Sequence, residues 1–223
     1  MQKFDTPAPI TAVLDIPAGH IRFIAADRAD TTVEVLPADP STARDVKAAQ
    51  QITVAHGDGV LRIESAPASN RVLGASGSVE VTVQLPAGSH VEAKAAAAEL
   101  RGVGRLGDVT FDGAQATVKL DETEHARLTL QAGDITVGRL GANGEISTQK
   151  GDLTVTEATG GTLTLRTEHG DISVGAAPGV SATLDAGTSY GRIHNTLTNT
   201  GNAASALAIH ATTAYGDITA HSR

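Results

Sequence analysis

A five-residue unit, glycine then aspartate then an apolar residue alternating with a hydroxyl one, recurs along the second half of this chain and narrows its possible folds more than any other feature. It reads Gly107-Asp108-Val109-Thr110-Phe111, Gly133-Asp134-Ile135-Thr136-Val137, Gly151-Asp152-Leu153-Thr154-Val155, Gly170-Asp171-Ile172-Ser173-Val174 and Gly216-Asp217-Ile218-Thr219-Ala220. A degenerate copy stands at Gly191-Arg192-Ile193-His194. The glycines at 107, 133, 151, 170, 191 and 216 set a period of roughly twenty residues with loop-sized insertions. Between these units run second alternating segments, Ala116 to Leu120, Ala126 to Leu130, Gly144 to Ser147, Thr162 to Arg166 and Ala206 to His210. Alternation of this kind marks a strand with one face buried, and the glycine before each aspartate supplies a corner.

Two five-residue strands cannot bury an apolar face alone, so successive units must stack and share a core. The expected architecture is therefore all-β: a β-solenoid of the β-helix or β-roll kind with roughly 20-residue two-strand repeats. Short strands at this spacing also suit a Greek-key sandwich, which is the alternative. Composition favours stacking, because the chain has three Phe, two Tyr and no Trp. Its interior must be filled by Ala, Val, Leu and Ile, as a narrow, regular coil requires.

Residues 1–100 read as a less regular β-rich region, and 101–223 as the repeat solenoid continuous with it. Strands are expected at 10–16, 20–26, 31–36, 51–55, 60–64 and 78–85. Leu14-Asp15-Ile16-Pro17-Ala18-Gly19 and Val83-Gln84-Leu85-Pro86-Ala87-Gly88 share a pattern in which proline ends a strand and glycine permits reversal. His56-Gly57-Asp58-Gly59 reads as a hairpin turn. One short helix is expected near 40–50, with Asp39 as cap, Pro40 in its first position, and Ala43, Val46 and Ala49 on its buried face. Ala93 to Leu100 has helical propensity, yet it continues the β pattern and is assigned as strand.

The serial Gly-Asp-Ile-Thr-Val units, following a β-rich portion that ends in Val-Glu-Val-Thr-Val-Gln-Leu-Pro-Ala-Gly, resemble a bacterial β-strand-repeat family of unknown function whose members carry the provisional label of adhesin. The resemblance is strongest from Ser78 to Ala220. It implies a solenoid or roll of β-strands and no established catalytic residues.

The functional candidates are few. Asp108, Asp134, Asp152, Asp171 and Asp217 would form a column about 4.8 Å apart if the coils are in register. Such a column is a conceivable cation ladder, but the nine-residue calcium repeat of β-rolls is absent. The simpler reading has each carboxylate accept turn N–H groups and face water, with Arg192 breaking the column. The histidines (His20, His56, His90, His125, His169, His194, His210 and His221) stand singly, without paired metal-ligand spacing. His169 lies between Glu168 and Asp171, an arrangement more typical of a strand end than of an acid–base centre. Tyr190 and Tyr215 each precede the glycine of a unit and are expected to stack on one another. Gly102 to Gly107 lacks the Gly-Lys-Ser/Thr and following helix of a phosphate loop.

No catalytic, cofactor-binding or metal residue is assigned. The net charge of −8 argues against a nucleic-acid surface, and no apolar run is long enough to span a membrane. With no cysteine and no signal-like start, a cytoplasmic location is expected. The expected role is a non-enzymatic scaffold or protein-interaction module, with a carbohydrate-binding or carbohydrate-active β-helix as the alternative. Residues 216–220 are expected to leave an open edge for self-association or partner docking.

Overall fold

The computed structural model describes residues 1–65, 77–199 and 205–223. Its first strands are β1 (Gln2–Asp5), β2 (Thr11–Ala26), β3 (Asp30–Pro37), β4 (Ile52–Gly57), β5 (Val60–Ser65) and β6 (Val79–Pro86), with α1 (Ala43–Gln50) between β3 and β4. The long β7 (His90–Ala132) follows. The spine is β2. Its first half lies parallel between β5 and the start of β7, and its second half lies parallel between β6 and residues 97–103. Antiparallel β3, β1 and β4 finish this end by pairing with β6, β3 and β5 respectively.

Pro17 does not end a strand as expected. Strand β2 runs through it, and Pro17 falls where the partner on one side changes from β5 to β6, a break in the ladder of the kind that tolerates proline. The buried phase shifts there from Ala12, Leu14 and Ile16 to Ile21 and Phe23. That slip marks a corner that keeps apolar residues inward, not a reversal. The hairpin expectation holds: Asp58 and Gly59 form a two-residue loop with φ of 51° and 74° between antiparallel β4 and β5. Ala93 to Leu100 is strand, inside β7.

The helix starts later than expected. Its N-cap is Thr42, whose side chain makes no capping bond. Asp39 instead closes the preceding turn, its carboxylate accepting from Ser41 N–H, Ser41 Oγ and Thr42 Oγ1 at 2.6–2.9 Å. The inward face carries Asp45, Ala48 and Ala49, whereas Ala43 is exposed. Asp45 is buried because its Oδ1 accepts the N–H of Ser78 at 3.0 Å, tying the helix to the start of β6.

The repeats give β8 (Ile135–Leu140), β9 (Gly144–Ser147), β10 (Leu153–Ala158), β11 (Gly161–Arg166), β12 (Ile172–Ala176), β13 (Val180–Tyr190), β14 (Ile193–Thr196), β15 (Ser205–Tyr215) and β16 (Ile218–Ser222). They form two parallel ladders. One runs from residues 118–123 of β7 through β8, β10, β12 and β16 to β14. The other runs from residues 126–129 of β7 through β9, β11 and β15 to β13. Register aligns like with like: Ile135, Leu153, Ile172 and Ile218 form one buried column, each at 0–1 % exposure. Burying each such side chain contributes about 1.5–3 kcal/mol. Together with Ile10, Phe23, Phe111 and their neighbours these residues form one continuous core.

Spatial order and chain order diverge at the last two coils. The coil β15–β16 lies between β11–β12 and β13–β14, because β15 pairs with both β11 and β13, and β16 with both β12 and β14. Residues 216–220 are therefore not an open edge. The outermost rung is β13–β14, where Ile193 is 47 % exposed. On this rung Leu197 packs against the core, and the Asn199 amide accepts from Ala182 N–H and donates to Ala182 O. The asparagine satisfies the edge of β13 at Ala182, while β14 is exposed along its length.

Candidate functional site

The corner shared by the Gly-Asp units is the most regular construction in the molecule. A Cβ placed on Gly133, Gly151, Gly170, Gly216 or Gly191 would lie 1.7–2.1 Å from the carbonyl oxygen of Ala116, Gly133, Gly151, Gly170 or Gly216 respectively. No side chain fits there, so the backbones of successive coils touch. At Gly151 and Gly170 the φ angles of 144° and 153° add a second demand that only glycine meets without strain.

Close approach lets the next residue bond across coils. Asp134 Oδ1 accepts the N–H of Asp152 at 2.9 Å, Asp152 accepts from Asp171 at 2.8 Å, Asp171 from Asp217 at 2.7 Å, and Asp217 from Arg192 at 2.8 Å. The carboxylates do accept backbone N–H groups as the sequence suggested, but from the neighbouring coil and not from their own turn. Arg192 ends this column instead of breaking it, and its guanidinium bonds back to Asp217 at 3.0 Å. The Arg192 N–H and guanidinium hold the Asp217 carboxyl below the usual carboxylate range.

Asp108 does not belong to the column. It sits beside the second ladder, where its Oδ1 is 2.8 Å from Nδ1 of His125 and its own N–H bonds Nδ1 of His90 at 2.9 Å. Because His90 Nδ1 accepts that N–H, its proton is on Nε2, and the 3.5 Å approach to Asp108 Oδ2 is not an ion pair. These three side chains resemble a metal constellation in composition alone. Among the described residues no group of three or more His, Asp or Glu side chains is placed to hold a metal ion.

Asp108 and His125 do open onto a shallow groove of about 460 Å³, lined also by Arg127, Asn143, Glu145 and Thr162. Arg127 pairs with Glu145 at 3.4 Å across adjacent strands, and the Asn143 side chain accepts the N–H of Thr162 at 2.8 Å. The groove thus presents charged side chains of both signs and the Asn143 amide beside the strands of the second ladder.

The other candidates are engaged structurally. Tyr190 and Tyr215 stack as expected, with centroids 4.9 Å apart and planes within 4°. His169 extends the stack on the other side of Tyr215, also at 4.9 Å, and not toward an acid–base centre. His20 bonds Glu99 at 3.1 Å and His210 bonds Asp185 at 3.3 Å. The His56 ring lies against Phe4, with Nε2 buried and unpartnered among the described residues. Gly102 to Gly107 lies within β7 as packing glycines; Leu120 and Leu106 fill the place of a Gly102 Cβ.

A recurring hydroxyl was missed in the sequence. Thr148, Thr167 and Thr213 are buried, each three residues before its glycine, and each donates Oγ1–H to the glycine carbonyl of the coil below at 3.1–3.4 Å. Thr188 does the same toward Gly216 at 3.0 Å. The full repeat is Thr-x-x-Gly-Asp, and the threonine was hidden among strand hydroxyls that face water.

A family model described as Toastrack DUF4097 matches residues 13–223. No curated protein matches the chain. Similar solved structures include one described as a "putative cell adhesion protein" from Clostridium sporogenes, at 12 % identity and TM-score 0.42, covering 100 % of this chain and 98 % of that one. Another, a "putative adhesin" from Parabacteroides distasonis, has 12 % identity and TM-score 0.46, with 98 % and 95 % covered. A third, a "putative lipid binding protein" from the same organism, has 11 % identity and TM-score 0.49, with 98 % and 95 % covered.

Proposed function

Because the chain belongs to the Toastrack DUF4097 family, whose sequence signature was already visible in its repeats, we propose a role read from its own surface: a non-enzymatic β-solenoid scaffold that binds a protein partner. The observation that carries this reading is the groove beside the second ladder, where Arg127 and Glu145 face each other on paired parallel strands and the bonded Asp108 and His125 line the same groove. Rigid strands present these charges without the ordering cost a loop would incur on binding. Two in-register parallel ladders support reading the repeats as a solenoid of roughly twenty residues per coil, an architecture that offers an extended surface.

Support for a non-catalytic role comes from how the polar groups are spent. Asp108 meets both flanking histidines, Arg127 meets Glu145, and each corner aspartate from Asp134 to Asp217 holds the neighbouring coil. The test is capture of the tagged protein from its own cell lysate at physiological salt, beside an Asp108→Ala, Arg127→Glu, Glu145→Lys variant of unchanged melting temperature. One stoichiometric protein, lost in the variant, supports the reading. Equal retention by both proteins sinks the groove as the contact.

A second reading, carbohydrate binding, is favoured by Tyr190, which is 68 % exposed at the outer end of the ring stack. Pyranose rings stack on such faces. A glycan array on which wild type and Tyr190→Ala give the same signal would remove it.

A further inference from the structure

One straight row of polar side chains is not spent on the fold. It crosses the outward side of the sheet that runs from β2 through β7 into the first ladder. Arg22 of β2 lies in register beside Arg101 of β7. Arg101 in turn lies beside Lys119, whose carbonyl oxygen its Nη1 meets at 3.5 Å. The row then continues in register through Thr136, Thr154, Ser173 and Thr219. Each member stands between two buried residues, as Arg22 does between Ile21 and Phe23 and Thr136 between Ile135 and Val137, so strand alternation turns the whole row to solvent.

Among the described residues, Arg22 and Lys119 have no ion-pair partner, and the hydroxyls of Thr136, Thr154, Ser173 and Thr219 make no hydrogen bond. Thr148, Thr167 and Thr213 differ, because their hydroxyls are taken by glycine carbonyls. Arg101, between the two unpaired cations, is tied to Asp121 at 2.6 Å. Arg22 and Arg101 line a groove of about 310 Å³ whose Glu99 is held by His20 at 3.1 Å, with Glu80 as its other carboxylate. In a chain of net charge −8, two unpaired cations in one row invert the sign locally and favour an anion.

Spacing selects which anion. Neighbouring strands are about 4.8 Å apart, so Arg22 and Lys119, two strands apart, are separated by about 9.6 Å. An extended acidic peptide presents same-side residues every 6.6 Å or so, roughly twice the rise of a strand residue, and falls out of step. Phosphates along one strand of DNA, about 3.4 Å apart, do the same. A β-1,4-linked pyranose chain advances by roughly one strand spacing per sugar. In its twofold ribbon alternate sugars are turned over, so one side presents a carboxylate at every second strand. We propose that this row binds a linear β-1,4-linked polyuronate running across the strands. Arg22 and Lys119 each take a carboxylate, and the hydroxyls from Thr136 to Thr219 bond the sugar hydroxyls further along. The proposal rests on the carbohydrate reading but uses a site separate from Tyr190.

The test is titration calorimetry with a short oligomannuronate at physiological salt. Wild type should bind it. The double variant Arg22→Glu, Lys119→Glu alters two exposed side chains, so its melting temperature should hold while its affinity falls about tenfold or more. Should charge reversal disturb folding, Arg22→Gln, Lys119→Gln removes the charges without reversing them and should show the same loss. Tyr190→Ala should bind oligomannuronate as wild type does, which separates this row from the stacking site. Polyglutamate of matched charge should bind about tenfold more weakly than the oligouronate. No binding by wild type, or equal binding by the folded charge variants, would overturn the proposal. Loss of binding in Tyr190→Ala alone would move the sugar to the ring stack and overturn this site. Equal affinity for polyglutamate would overturn the uronate assignment, since charge without spacing would then suffice.

Discussion

Replacing Gly170 by alanine isolates what holds the coils together at their corner. The new Cβ would stand 2.0 Å from Gly151 O, 2.5 Å from its carbonyl carbon and 3.0 Å from Asp152 Oδ1. Two of these atoms are backbone and cannot swing away, so the coils must part by more than 1 Å locally, roughly the shortfall from ordinary contact distance. Parting them breaks the Gly151 N–H bond to His169 O at 2.9 Å, the Leu153 N–H bond to Asp171 O at 2.9 Å, and the Asp171 N–H bond to the Asp152 carboxylate at 2.8 Å. At about 1 kcal/mol for each neutral bond and about 1.5 kcal/mol for the charged one, this costs about 3.5 kcal/mol. The φ of 153° adds about 1–2 kcal/mol once a Cβ is present. The control is Gly179→Ala, at φ 77° with nothing within 4 Å of the new methyl, which should cost only the backbone share of about 1–2 kcal/mol. Urea unfolding followed by far-UV circular dichroism measures both, and Gly170→Ala should lose about 5 kcal/mol in total. Equal midpoints for the two variants would refute the argument that backbone contact, and not backbone conformation, demands glycine in this column.

Three further outcomes follow from the same geometry. Thr167→Val keeps the volume but removes the hydroxyl that meets Gly151 O at 3.1 Å, and should cost about 1 kcal/mol in urea unfolding; an unchanged midpoint would mean water replaces the bond. Asp217 is held below the usual carboxylate range, so its contribution is present above that range and is lost as pH falls through the folded value. Asp217→Asn should therefore be less stable than wild type at pH 7, with the gap closing on acidification, and parallel stability–pH curves would contradict this. Arg28 and Lys3 lower Asp30 to about 2 from 3.8, so the penalty of Asp30→Asn should persist at pH 4 and vanish near pH 2, as read by thermal melts.

The strands, their inward residues and the stacked tyrosines were legible because period-2 alternation and a repeated glycine are local signals. What escaped the sequence was non-local. Gly107-Asp108 matches the repeat unit residue for residue, yet it lies on the other ladder beside His125, because β7 turns its corners before the regular column begins at Gly133. Pro17 carries the same signal as Pro86, but only Pro86 ends a strand. The difference is whether the ladder is continuous at that point, which depends on partners far along the chain. The order of the last two coils was hidden for a similar reason: the informative residue, Arg192, looked like a defect until its neighbours were known. The groove was invisible as a site, since Asp108, His125, Arg127 and Glu145 converge only through stacking.

The inserted coil also limits how such a molecule can be lengthened. Appending another Thr-x-x-Gly-Asp unit after Ser222 would place it beside no free rung, because β16 already has neighbours on both sides. At the outer rung Arg192 ends the carboxylate ladder, Leu197 packs against the core and Asn199 holds Ala182 of β13. Growth from within keeps every corner bond. A duplicated stretch such as 151–169 offers at its lower side what Asp134 expects and at its upper side what Asp171 expects. An interior joint can therefore take an added unit without altering either end of the ladder.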